Sequence, residues 1–446
     1  MASDSKKRVV IGMGKTGLSC ARFLRSTGES FIWMDTRDVP PMLADIQSEF
    51  PDVALRCGAL NVDVLCTAAE IIVSPGVSVL EPALRAAALH GVPVIGDIEL
   101  FVRATKKPVI AITGSNAKST VTTLVGDMAI ACGLQVGVGG NLGIPVLDML
   151  ENDAANDAYV LELSSFQLET VFSLQAEVAV ILNISEDHMD RYDSLAAYTQ
   201  AKLRIYHAAA HVVFNRADIL TQPALETAGK RWSFGLDGGG ANSVGVCDSE
   251  GDRWIVYGDN MKLMRIAEIR IVGSHNLANV TAAFAVALAA GWDISACADA
   301  VRNFSGLAHR CQWVAEKHGV LFYNDSKGTN IGATVAAIEG LCSGKNIVLI
   351  AGGDGKGADF SQLAAVVQRH VKQLVLIGRD AKKIAAACAD TTISYASSMI
   401  DAVLKSQAAA VSGDVVLLSP ACASFDMFNG YDDRGRQFCD AVGGLA

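Results

Sequence analysis

The stretch Pro108-Val-Ile-Ala-Ile-Thr-Gly-Ser-Asn-Ala-Lys-Ser-Thr120 decides how the rest of the chain is read. An apolar β-type run, Val109 to Ile112, stops at Gly114, and a helix-like segment, Val121 to Cys132, follows Lys118-Ser119-Thr120. A strand that turns through small residues into a helix start presents unpaired backbone N–H groups and the positive helix end to one point. That arrangement favours a phosphate. Lys118 adds a point charge for the terminal phosphates, and the Ser119 or Thr120 hydroxyl can reach a Mg²⁺. The motif departs from G-x-x-x-x-G-K-[ST] at two places, Ile112 and Ala117, so an ordinary strand-to-helix turn stays open as a reading of this segment alone.

Short apolar runs alternate with helix-like segments on both sides of this loop. The first block holds Arg8-Val-Val-Ile-Gly-Met-Gly14, Ser30 to Asp35, Glu70 to Gly76 and Val92 to Gly96. The second adds Ala158 to Leu163, Ala176 to Asn183 and His211 to Asn215; the third has Val320 to Asn324, Asn346 to Ala351, Gln373 to Ile377 and Val415 to Ser419. This predicts an α/β protein of three domains, each a mainly parallel sheet flanked by helices: Rossmann-like, P-loop-type and Rossmann-like in turn. The expected spans are 1–97, 98–305 and 306–446. Gly235 to Gly245 reads as a flexible loop without an assignable function.

Composition excludes several classes. Of 446 residues, 51% are apolar and 19% charged, as in compact globular proteins rather than disordered ones. No apolar run approaches the ~18–20 residues of a membrane span. A run through Lys15 is unlike a signal peptide, and the eleven scattered cysteines show no C-x-x-C pair, so a reducing, cytoplasmic setting is expected. A formal charge of −10 argues against general nucleic-acid binding, so anionic ligands need local devices.

Candidate chemistry gathers where strands end, as it does in parallel sheets. Gly12-Met-Gly14-Lys-Thr-Gly17 with Asp35 fits a dinucleotide fingerprint; NAD and a nucleotide-sugar diphosphate both satisfy it. Glu162, inside an apolar strand, is either a buried salt-bridge partner or a Mg²⁺ ligand facing Ser119. Asn183 to Tyr192 packs carboxylates, His188 and Arg191 into one loop. Asn324-Asp-Ser-Lys327 and Gly352-Gly-Asp-Gly-Lys356 would together form a cationic mouth for a small dicarboxylate or a transferring phosphate. Lys202, on the helix-like stretch Leu195 to Ala209, looks by itself like an exposed surface lysine.

Gly114-Ser-Asn-Ala-Lys-Ser-Thr120, Leu161-Glu-Leu-Ser-Ser-Phe-Gln-Leu168, Glu186-Asp-His-Met-Asp-Arg-Tyr192, Gly273-Ser-His-Asn276, Leu307-Ala-His-Arg310, Asn324-Asp-Ser-Lys327 and Leu418-Ser-Pro-Ala-Cys-Ala-Ser424 occur in the order of the Mur ligase family. The chain resembles that family along nearly its whole length. Within it, the likeness is to members of peptidoglycan synthesis that join D-glutamate to UDP-N-acetylmuramoyl-L-alanine with ATP. The family more usually has Gly-Thr-Asn-Gly-Lys where this chain has Ser115 and Ala117.

The resemblance implies a set of roles. Gly14, Lys15, Thr16, Asp35, Thr36, Arg37 and Ser74 would contact the UDP part of the sugar substrate, and Asn141 substrate or phosphate. Gly114, Ser115, Asn116, Ala117, Lys118, Ser119 and Thr120 would hold ATP, helped by Asn279, Arg310 and Asp325. Ser119 and Glu162 would lie near one Mg²⁺; His188 and Lys202, carbamylated, would hold a second. Thr329, Lys356, Ser424, Phe425 and Tyr431 would form the D-glutamate pocket. Lys118, Glu162, His188 and Lys202 are thus the expected catalytic set. A monomer is expected, as is domain closure to exclude water from an acyl phosphate. Rivals are another Mur ligase, a folylpolyglutamate synthetase, or an NAD-dependent dehydrogenase or sensor.

Overall fold

The structure is a computed structural model that describes residues 7–259, 261–271 and 273–445. Ser5 and Lys6, which head the first strand reading, lie outside the described residues. The described strands form three sheets. The first is parallel, in the order Leu55–Cys57, Phe31–Asp35, Arg8–Ile11, Ile71–Val73, Val94–Ile95.

The second sheet is built around Val109–Thr113, which is buried at every residue and pairs in parallel with Ala158–Glu162 and Val178–Ile181. Alternation along this strand splits two cores. Ile110 and Ile112 face Val121, Leu124, Val280 and Phe284 of the helices Lys118–Ala131 and Ser274–Ala289. Val109 and Ala111 face the opposite way, with Tyr159, Tyr198 and Phe101. Register then fixes the site. Ile112 lies opposite Glu162, and Gly140 opposite Glu162 on its other side, so Glu162 and Asn141 end beside the Gly114 turn.

The third sheet runs Gln312–Lys317, Val320–Asn324, Val415–Leu418, Ile347–Gly352, Val371–Ile377, Thr392–Tyr395. All but its first pair are parallel. Helix Asp97–Ala104 joins the first sheet to the second; its Ile98, Leu100 and Phe101 share one core with Val10 and Trp33 on one side and Tyr159 and Leu161 on the other.

Two local readings change. The region after Gly235 does not stay a loop: Ser243–Ser249 begins a strand and continues through Asp252–Tyr257 and Met261–Arg265 as an antiparallel edge of the second sheet. Its residues alternate weakly and follow a glycine run, so periodicity alone does not mark them. The helix expected from Leu195 to Ala209 ends at Leu203, followed by a 3₁₀ turn, Arg204–Tyr206.

Candidate active site

The Gly114 turn carries its irregularity in the backbone. Ala117 sits at φ +66°, ψ −3°, as the residue before helix Lys118–Ala131. A left-handed conformation costs an L-residue with a Cβ roughly 1–2 kcal/mol that glycine avoids. Ala117→Gly is therefore expected to raise the unfolding free energy by up to about 1 kcal/mol, after allowing for glycine's larger unfolded-state entropy. A urea midpoint that falls instead would mean that the methyl group is packed well enough to outweigh the strain.

Lys118 Nζ folds back over the turn, donating to Gly114 O at 2.9 Å and Ser115 O at 3.0 Å. Burial lowers its pKa, partly countered by the charges of Glu162 and Asp187. Glu162 is 3% exposed and accepts from Asn141 Nδ2 at 2.8 Å. Its Oε2 is buried with no hydrogen-bond partner. Burial pushes this carboxyl's pKa up, but Lys118, Ser119, Asn141 and Arg310 outweigh it and hold the pKa below the ordinary value. Ser119 Oγ accepts from Arg310 Nη2 at 2.6 Å, which ties the second sheet's helix to the segment leading into the third sheet.

A second cluster faces this one. Asp187 accepts from Lys356 Nζ at 3.2 Å and from Asn330 Nδ2 at 3.3 Å, and lies 3.6 Å from His188 Nε2. Asn330 Nδ2 also donates to Asn116 Oδ1 at 3.0 Å, a further link between the two units. Burial lowers the His188 pKa, although the Asp187 charge opposes this. Lys327 Nζ stands 3.8 Å over the Tyr431 ring; burial, reinforced by Arg310, lowers its pKa to about 8. Asp325 accepts from Ser419 Oγ at 2.7 Å and Cys311 N at 3.1 Å, and burial raises its pKa to about 6.

Lys202 is not the surface residue it resembles in isolation. It is 1% exposed, with Nζ 2.9 Å from Gly114 O and 4.6 Å over the Tyr198 ring. The second-sheet helix Leu195–Leu203 carries it under the phosphate-type turn. Burial, with Lys118 nearby, puts its pKa well below the usual lysine value.

Three cavities meet at these residues. One, of about 490 Å³, lies between the first and second sheets and is lined by Gly14, Lys15, Thr16, Asp35, Thr36, Arg37, Ser74, Asn141 and Gln167, among others. A second, of about 300 Å³, is lined by Asn116, Ala117, Thr120, His275, Asn279, Arg310 and Asp325. The third, of about 540 Å³, has Ser115, Lys118, Ser119, Glu162, His188, Thr329, Lys356, Ser424, Phe425 and Tyr431 on its walls. Asn141 belongs to the first and third; Arg310 and Lys327 belong to the second and third. The third is thus a junction. Of the expected site residues, Gly114, within the turn, and Lys202, beneath it, line none of the three, and Phe425 is 79% exposed at the rim. Asp187, Lys327 and Asn330 also line the third cavity; Lys327 belongs to the expected cationic mouth, whereas Asp187 and Asn330 had no expected role, and the signal at Asp187 was the density of polar residues after a strand.

The dinucleotide alternative meets an obstacle at Asp35. Its Oδ1 accepts from Arg37 N and Nε at 2.9 and 2.8 Å, and its Oδ2 from Met13 N and Arg37 Nη2 at 2.6 and 2.7 Å. The carboxylate's acceptor capacity is filled, which leaves none for a ribose hydroxyl. What faces solvent here is the Arg37 guanidinium, 52% exposed.

Family models match in chain order: a Mur ligase MurD-like N-terminal domain over residues 6–96, a Mur ligase middle domain over 112–287, and a Mur ligase glutamate ligase domain over 309–422. The chain belongs to the Mur ligase family. This Mur ligase is 52% identical over 443 residues to a protein of Pseudomonas fluorescens named UDP-N-acetylmuramoylalanine--D-glutamate ligase, covering 98% of each chain. It is 49% identical over 436 residues to one of the same name from Nitrosococcus oceani, covering 97% of this chain and 96% of that one. In fold the Mur ligase is similar to a pseudomurein peptide ligase type C from Methanothermus fervidus, with TM-score 0.63, 20% identity, and 98% and 100% of the two chains covered. It is likewise similar to the MurF ligase from Thermotoga maritima in complex with ADP, with TM-score 0.61, 15% identity, and 100% and 97% covered.

Proposed function

We propose that this Mur ligase joins D-glutamate to UDP-N-acetylmuramoyl-L-alanine at the expense of ATP, in peptidoglycan synthesis. The observation that carries this reading is that the cavity holding Lys118 and Glu162 shares Asn141 with a second cavity and Arg310 and Lys327 with a third, which offers one cavity to each substrate. The full-length likeness to relatives of that name supports the choice of substrates. ATP occupies the cavity of Asn279, Arg310 and Asp325 with its phosphates on the Gly114–Thr120 turn. The UDP moiety takes the Arg37 and Ser74 cavity. D-Glutamate lies against Thr329, Lys356, Ser424, Phe425 and Tyr431.

A carboxylate at neutral pH resists attack by an amine. Transfer of the γ-phosphoryl group of ATP to the alanyl carboxylate gives an acyl phosphate and ADP; the D-glutamate amine then attacks, and phosphate leaves. Lys118, Lys327 and Arg310 spread positive charge along the transferring group, so the work is mainly electrostatic stabilisation and positioning. Arg310 to Ser119 and Asn330 to Asn116 and Asp187 hold the third domain over the junction, which limits water.

Mg²⁺ fits the residues present. Glu162 offers a buried, ionised carboxylate oxygen without a partner beside the Ser119 hydroxyl, the hard oxygen donors that would suit such an ion. We assign Ser119 and Glu162 to one ion, and His188 with carbamylated Lys202 to a second. Only a neutral amine reacts with CO₂, and burial favours that form of Lys202. The ions supply charge neutralisation for the phosphoryl oxygens. We place the domain limits at 97/98 and 305/306, within the stretches that separate the three matched spans. All eleven cysteines are free, in keeping with a reducing cytoplasm, and among the described residues no helix is long and apolar enough to cross a membrane. We take the working unit to be the monomer.

The decisive assay is phosphate release. It is expected to require ATP, UDP-N-acetylmuramoyl-L-alanine and D-glutamate together; release without the amino acid at the full rate would overturn the reading. Lys327 provides a pH test. Its lowered pKa means that the positive charge is present below about 8 and lost above it. The alkaline limb of kcat/KM is expected near that pH, and Lys327→Arg, which stays charged, should move it upward. An unmoved limb would remove Lys327 from the charged set.

A further inference from the structure

Helix Asp97–Ala104 is the covalent joint between the first two sheets, and it is strapped by several polar contacts to the helix Ser165–Glu169 and the residues that follow it, to Ser173. Gly96 N donates to Thr170 O at 3.0 Å. Glu99 accepts from Phe172 N and Ser173 N at 2.7 and 2.9 Å. Between these, Asp97 Oδ2 accepts from Gln167 Nε2 at 3.3 Å. Asp97 is 4% exposed, and its Oδ1 has no hydrogen-bond partner. A buried carboxyl in this state is costly, and none of the catalytic steps uses it.

Gln167 is the one contact that leads from Asp97 to a cavity. Its Oε1 accepts from Ser164 N and Oγ at 3.1 and 3.2 Å, closing a capping box at the start of its helix. Its Nε2 goes to Asp97, and the residue lines the cavity with Asn141 and Ser74. An amide nitrogen has two N–H donors. With one given to Asp97, the other is left for an occupant.

We propose that Asp97 is a positioning residue for the nucleotide-sugar substrate: by accepting from Gln167 Nε2 it fixes the orientation of that amide at the cavity wall, so that the second N–H meets an acceptor oxygen of the ligand. The inference rests on the assignment of this cavity to the UDP-linked substrate. An ionised Asp97 accepts only, so it permits one orientation of the amide. A protonated Asp97 can donate instead of accepting, which gives up its hold on Nε2 and leaves the amide to the Ser164 contacts alone.

The groups facing Asp97 bear on its protonation. They are Gln167, the backbone N–H of Ile98 at the helix start, and the Cys20 thiol of the helix Lys15–Ser26, with Asp148 beyond it. Among the described residues no cation pairs with Asp97. Burial raises its pKa to about 6, against the pull of Gln167 and the helix-start N–H groups. No histidine lines the cavity, so little else there titrates between pH 5 and 8.

The test is calorimetric binding of UDP-N-acetylmuramoyl-L-alanine to the intact enzyme without ATP, with steady-state KM values alongside. Asp97→Ala should weaken that binding about tenfold, with KM for ATP and D-glutamate unchanged, while Asp97→Asn, whose amide both donates and accepts as the protonated acid does, should show at every pH the weakened affinity that wild type shows below about pH 6. Wild-type affinity should fall as pH drops through about 6, and Asp97→Asn should be flat. In a Gln167→Ala background, Asp97→Ala should add nothing. If wild type binds and Asp97→Ala binds equally well, or if all three KM values rise together, the positioning role is wrong. If wild type itself does not bind the nucleotide-sugar, the assignment of the cavity fails instead. A poorly folded Asp97→Ala, seen in its melting curve, leaves the Asp97→Asn pH profile to decide; a profile that still falls below pH 6 would overturn the proposal.

Discussion

Lys118→Ala is expected to lower ligase turnover by roughly 10³-fold or more while leaving the fold intact. Cationic groups that meet a transferring phosphoryl group commonly contribute that much. Lys118 is placed for this at the start of the helix Lys118–Ala131, between Glu162 and the Gly114 turn. Its structural contacts are only two bonds to the turn carbonyls Gly114 O and Ser115 O. The pKa direction supplies the sign of the stability effect. A lysine whose folded pKa is lowered is less favourably charged in the folded state than in the unfolded one. Removing it therefore relieves a cost, and the melting temperature should not fall by more than about 2 °C. Phosphate release at the wild-type rate would sink the assignment of the turn, and a large loss of melting temperature would sink the argument that the lysine is there for chemistry.

Lys202→Ala is the second large effect, and it separates two accounts of a buried lysine. If the amine only props up Gly114 O, truncation costs about 1–3 kcal/mol of stability, from the lost hydrogen bond and the void, and leaves the enzyme active. If it carries a carbamate that holds metal, turnover should drop by about 10²-fold or more, since its loss perturbs charge stabilisation at the transferring group. Formate or acetate should then restore part of it by supplying a carboxylate to the space. A carbamate carbonyl signal in wild-type enzyme equilibrated with ¹³C-labelled CO₂, absent from the variant, is the direct readout. Full activity of Lys202→Ala without any additive would take Lys202 out of the site.

The placement of the phosphate-type turn was legible because three signals agree locally: an apolar strand, small residues, then Lys-Ser-Thr at a helix start. Glu162 was legible for a related reason. A carboxylate in an apolar strand is expensive, and in-register pairing of Ile112 with Glu162 brings it to the turn. Asp35 shows the limit of such reading. The glycine fingerprint and the acid after the second strand match a ribose site, yet Arg37, two residues on, fills the carboxylate. Nothing in the spacing distinguishes a free acid from one already saturated.

Lys202, Asp97 and Asn330 mark what the linear order leaves out. Each is unremarkable among its neighbours, a lysine late in a helix, an acid at a helix start and an asparagine before one. Their burial and their partners come from elements 60 or more residues away: Lys202 with Gly114, Asp97 with Gln167, Asn330 with Asn116 and Asp187. Hydrophobic periodicity and turn chemistry are local, so the sequence by itself determined the α/β layout, the three blocks and the motifs at strand ends. Which charges are dehydrated, which carboxylate oxygen is left without a partner and which cavities share a wall depend on packing between those blocks. Only the tertiary structure decided them, because desolvation and hydrogen-bond satisfaction are properties of surroundings that distant segments supply.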